Sequence, residues 1–201
     1  AIGIVRGTYQ PREEENFTRG TLIDSDGVEI DSVVLGRVLN LIRNHVSIEK
    51  PHLWVVYPRC RDAHSLHLQI TGIWEPSTLS KDFQDAKDKD EVDDSSINRD
   101  VVDELQEGDD YFSIRGELIY TKPETKDVVI KIRQKPRNKL KKALPFKIYL
   151  KGEIPINFAK HFISLHVRRV ENQLLIEDFE IIASMPRRKN NEKKANKLID
   201  K

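Results

Sequence analysis

The residues of this chain best suited to chemistry are cations, and they are concentrated. Lys131-Ile132-Arg133-Gln134-Lys135-Pro136-Arg137-Asn138-Lys139-Leu140-Lys141-Lys142 is the densest basic run. On either side, basic residues recur at alternate positions: Arg115, then Lys131 and Arg133, then Lys147 and Lys151 around Tyr149, then His166 and Arg168. A period of two is that of a β-strand, so such side chains share one face while the interleaved apolar residues share the other. Lysine and arginine on one surface contact phosphate oxygens, and a tyrosine among them is a stacking platform. The candidate polyanion-binding set is therefore Arg115, Lys131, Arg133, Lys135, Arg137, Lys139, Lys141, Lys142, Lys147, Tyr149, Lys151, His166 and Arg168. Outward cations have a plainer use as well, since they keep strand edges soluble and unpaired.

Other chemistry has less support. His45, His52, His64 and His67 lie in the first third of the chain, with no acidic or cysteine partner at ligand spacing, so no metal is expected. Cys60 stands between Arg59 and Arg61, which favour a thiolate, but a nucleophile also needs a base and an orienting group. Phosphate-binding glycine loops, the dinucleotide fingerprint, His-Glu-x-x-His and Gly-x-Ser-x-Gly are absent from the sequence. A non-catalytic protein without cofactors is the expectation. One cysteine excludes an internal disulfide and suggests a reducing, cytoplasmic setting. No apolar run approaches the roughly 20 residues of a membrane helix, and the basic tail has no apolar face for a membrane surface. The net charge of +1 says nothing about partners, because Lys and Arg total 34 against 33 Asp and Glu. The distribution is what informs.

The elements that must position these residues are mostly strands. Residues 1–76 read as strand, strand pair, helix, strand, strand, with Pro11 ending the first strand: a small α+β or barrel-like module. Asp31 or Ser32 is expected to cap its helix, whose apolar positions run from Val34 and Leu35 to Val46. Trp54 and Trp74 are expected to pack inward, Trp74 on the face shared by Leu66, Leu68 and Ile70. Residues 77–110 form an acidic linker. From Asp82 to Asp110 there are thirteen Asp or Glu against three Lys or Arg, with short helices possible near Leu79–Lys87 and Asn98–Leu105. A segment of that sign can fold over a basic surface and compete with an anionic ligand. Residues 111–185 read as five strands, with Phe112, Ile114, Leu118 and Tyr120 inward on the first and a short helix within Pro155–His161. Residues 186–201 are a basic tail.

Five strands with a helix between the third and fourth is the order of an OB-fold. The segment Tyr111–Met185 resembles one in strand number, strand length and helix placement. The first segment is a less regular version of the same plan. The strings Trp54-Val55-Val56-Tyr57-Pro58-Arg59 and Gly72-Ile73-Trp74-Glu75-Pro76 also resemble uncharacterised cyanobacterial proteins. The OB resemblance implies ligand binding on the outer face of strands two and three and their flanking loops. The fold class expected is thus mainly β, with two small modules. The expected ligand is RNA or single-stranded DNA; the alternative is an adaptor that offers the same barrel to an acidic protein partner.

Overall fold

The computed structural model describes residues 1–13, 16–63, 65–75, 105–134 and 143–185. In the first segment the strands are β1 (Ile2–Glu13), β2 (Asn16–Ile23), β3 (Glu29–Val34), β4 (His52–Cys60) and β5 (Leu66–Ile73), with helix α1 (Gly36–His45) between the third and fourth. The second contains β6 (Tyr111–Lys122), β7 (Asp127–Ile132), β8 (Phe146–Lys151), β9 (His161–Val170) and β10 (Gln173–Ser184), with a single 3-10 turn at Ile156–Phe158. Each set closes on itself. The strand order is β1-β2-β3-β5-β4 and back to β1, then β6-β7-β8-β10-β9 and back to β6. Both are five-stranded barrels of one topology, with the crossover element after the third strand. The first segment is thus no less regular than the second; it even carries the fuller helix.

Alternation builds each core. Val5, Tyr9, Leu22, Ile30, Trp54, Val56, Leu68 and Ile70 fill the first barrel; Phe112, Ile114, Leu118, Ile130, Ile148, Ile163, Leu165 and Val167 fill the second. Trp54 is fully buried, and its indole N–H donates to the Gly7 carbonyl at 2.8 Å. Four local readings need correction. Residues 31–34 belong to β3, so α1 starts later, at Gly36, with Leu35 as a cap that makes no side-chain bond. β1 runs past Pro11, which sits at a register shift where the missing N–H does no harm. A bulge opposite Val55 and Val56 turns the end of β5, and Trp74 emerges 45% exposed. A second bulge, at Ile119 of β6, flips Tyr120 outward to 47% exposure. A period-two reading fails wherever one extra residue enters a strand.

Gly116 sits where β6 leaves β9 and takes up β7. A side chain there would meet Ile130 Cγ2 at 2.5 Å and the Lys131 carbonyl at 2.8 Å. The barrels are joined, not strung. β1 adds to the edge of β6 through Ile2 opposite Ser113 and Gly3 opposite Phe112, so one sheet of ten strands runs through both. Arg169 clamps the joint. Its side chain is 2% exposed and its guanidinium reaches Asp24 of the first barrel at 2.7 Å and Asp110 at 2.6 Å. It also donates to the Glu171 carbonyl at 2.8 Å. Among the described residues no helix is long and apolar enough to cross a membrane.

Candidate nucleic-acid interface

The outer face of β6, β7 and β8 presents its residues in cross-strand rows. Glu117 stands opposite Lys131, and Lys131 opposite Lys147. Next come Tyr120, Val129 and Tyr149, then Asp127 and Lys151. Lys131 and Lys147 are like charges directly across a ladder, with the Glu117 carboxylate on the far side of Lys131 in the same row. Arg133, just beyond β7, holds Glu117 at 3.0 Å. Lys151 holds Asp127 at 2.7 Å, and that contact together with the Thr125 hydroxyl keeps the Asp127 carboxyl below its ordinary value. Arg115, on β6, donates to the Ser164 hydroxyl at 3.2 Å.

The first barrel reaches the start of β8. Arg59, at the end of β4, lays its guanidinium over the Phe146 ring at 4.0 Å. Phe146 opens β8 opposite Ile132, packed against the core, one residue before the outward Lys147. Burial pushes Arg59 below its ordinary pKa, with Tyr57 and Cys60 pulling the other way. Opposite Arg59 lies His67, whose pKa burial also lowers, together with Arg61; its Nδ1 is buried without a hydrogen-bond partner among the described residues. Among the described residues no carboxylate stands within salt-bridge distance of Arg59, Arg115, Lys131 or Lys147. A partly desolvated guanidinium left so is unfavourable, and an incoming anion relieves it.

The expected residues therefore divide. Arg115, Lys131, Arg133, Lys147 and Tyr149 gather on or beside the β6–β8 face, with Lys151 on the same face but paired. His166 and Arg168 stand on β9, further round the wall. The His166 ring meets the Tyr111 hydroxyl at 2.6 Å, and Arg168 is engaged by Glu177 at 2.9 Å and by the Glu107 and Asp109 carbonyls at 2.9 and 2.7 Å. The end of the acidic segment thus does meet cations: Asp109 also pairs with Arg6 at 2.6 Å. Lys135, Arg137, Lys139, Lys141 and Lys142 lie outside the described residues, as do the expected linker helices except for Leu105, which is in no helix. Arg59 was not among the residues expected in the set. No local pattern marks it, because Phe146 reaches it only through the docking of one barrel on the other.

Cys60 is half-buried; burial pushes its thiol above the ordinary value, and a hydrogen bond from the Tyr149 backbone N–H opposes that. No group of three potential metal ligands occurs among the described residues. Residues 1–81 match the family model described as the PatR RNA-binding protein, N-terminal OB-fold domain. Residues 114–183 match the model described as the cyanobacterial OB-fold-like RNA-binding domain, C-terminal. No curated protein and no solved structure matches the chain. Topology and family models agree: the chain is a tandem of two OB-fold domains, each similar to a domain family described as RNA-binding.

Proposed function

We infer that this chain binds single-stranded RNA without catalysing a reaction, on a composite surface where the two barrels meet. Arg59 of the first barrel and Arg115, Lys131, Arg133 and Lys147 of the second take the phosphates. Lys135, Arg137, Lys139, Lys141 and Lys142 add charge directly after Arg133 in sequence. The observation that carries the reading is the cluster of cations without described carboxylate partners, Arg59 on Phe146 foremost, in a chain with nearly equal acids and bases. The two matched families are described by RNA binding and not by a reaction, which supports the same reading.

The test is anisotropy of a labelled single-stranded oligoribonucleotide, titrated with protein at rising salt. Affinity is expected to fall steeply, with a log–log slope of about −0.7 for each phosphate neutralised. A DNA oligonucleotide of the same sequence measures how far the 2′-hydroxyl contributes. Absence of binding at low salt, with one stoichiometric protein recovered from nuclease-treated extract, would replace RNA by a protein ligand.

A further inference from the structure

Beside the row of cations lies a cleft that the phosphate contacts leave unused. It has a volume of about 360 Å³ and lies between the two barrels. Its inner side is the row Tyr120, Val129 and Tyr149 on β6, β7 and β8. Its far side is the β4–β5 connection of the first barrel at Cys60 and Ala63, and Asn172 and Gln173 of the β9–β10 turn close one end. The cleft lies where the second barrel closes through little pairing: among the described residues β8 and β10 pair at one register position, Lys151 with Leu175. In the first barrel the corresponding strands, β3 and β5, pair through three residues.

We propose that this cleft takes one unstacked nucleobase of the bound RNA, an inference that rests on the RNA-binding reading above. Its size suits a small planar group, and its walls are mostly apolar with a few polar groups, as ligand sites are. The Ile119 bulge is what brings Tyr120 to the outer face beside Val129, so two phenol rings flank one small floor. Aromatic side chains hold splayed bases by stacking. The carboxamides of Asn172 and Gln173 each carry a donor pair and an acceptor, the complement of a base edge. The cleft also follows directly from the phosphate surface. Lys131 and Lys147 are the next outward residues along β7 and β8 from Val129 and Tyr149, a step of about 7 Å. A backbone held on the lysines thus has its base beside the tyrosines. Because Cys60 and Ala63 form one wall, the base site needs both barrels in place.

The experiment compares wild type, Tyr149→Ala, Tyr149→Phe and Gln173→Ala in binding a single-stranded oligoribonucleotide at two or more salt concentrations. Tyr149→Ala is expected to weaken binding about 5- to 100-fold, the worth of one base–aromatic stack, while the salt slope stays as in wild type. Tyr149→Phe keeps the ring and is expected to bind within about threefold. Photocrosslinking of 4-thiouridine-substituted RNA to wild-type protein gives a readout independent of folding: adducts are expected on the peptides holding Tyr120, Tyr149 or Gln173. The proposal is overturned if Tyr149→Ala and Gln173→Ala both bind as wild type, or if adducts fall only on peptides away from the cleft. Wild type that binds no RNA at low salt removes the RNA-binding reading itself, a separate result from variants that bind unchanged.

Discussion

Arg59 combines three properties: partial burial, an aromatic ring beneath it at 4.0 Å, and no described carboxylate within salt-bridge distance. The planar guanidinium stacks and offers a fork to phosphate, whereas an ammonium does neither as well. Arg59→Lys is therefore expected to lose about twofold to fivefold in RNA affinity despite unchanged charge, the equivalent of the roughly 0.5–1 kcal/mol of an exposed cation–π contact. Equal affinities for Arg59→Lys and wild type would show that only charge matters there. Legibility at this scale was uneven. Lys131 and Lys147 were readable from alternation alone, because their strands are regular. Tyr120 was misplaced because the Ile119 bulge is invisible to a period of two, and Trp74 for the same reason on β5. Arg59 was missed because the ring beneath it, Phe146, is distant in sequence.

Secondary-structure elements carry the positional accuracy of the site, and two features can be tested separately. Gly116 lets β6 pass from β9 to β7, with Ile130 and the Lys131 carbonyl in the space a side chain would need. Gly116→Val is expected to destabilise the protein by about 1–3 kcal/mol or more through overpacking, seen as a lower urea midpoint. Arg169 holds the joint between barrels. Arg169→Met leaves Asp24 and Asp110 facing each other without a cation, and about 3–5 kcal/mol of stability should be lost. The pH dependence has a definite sign. Burial raises the Asp24 carboxyl, but the bonds from Arg169 and from the Val28 and Asp26 N–H groups outweigh it, so the net shift is downward. A depressed carboxyl stabilises the fold above its unfolded pKa, and this contribution disappears as pH falls through the folded value. Asp110 is shifted up, chiefly by burial, so its proton opposes that loss. Wild type is expected to lose stability on acidification below about pH 4, near the ordinary carboxylate range, and Asp24→Asn to show a shallower acid limb in thermal melts. A limb of unchanged steepness would assign the acid sensitivity to other groups. The succession of five strands in the second barrel was readable in the sequence, and the OB resemblance implied how they close. The first barrel was harder, because Asp31 and Ser32 look like helix caps while the β2–β3 pairing keeps them in a strand.

At the scale of the whole molecule, the two OB-folds act as one body. A shared ladder at β1 and β6, the buried Arg169 clamp and the Arg59–Phe146 stack all cross the joint. None of these was legible beforehand, since a linker-joined pair of modules and a fused pair have the same local patterns. The fusion is what the proposed function rests on: Arg59 of one barrel is carried to the start of β8 in the other, next in the chain to Lys147. The measurement that tests this most directly is the salt dependence of RNA binding by wild type and by the triple variant Arg59→Gln, Lys131→Gln, Lys147→Gln, with melting temperature as the control on folding. Three lost phosphate contacts are expected to reduce the log–log slope by about 2 and to weaken binding at low salt by at least tenfold. A triple variant that melts as wild type does, yet binds with the same affinity and the same slope, would contradict a composite RNA surface at the barrel junction.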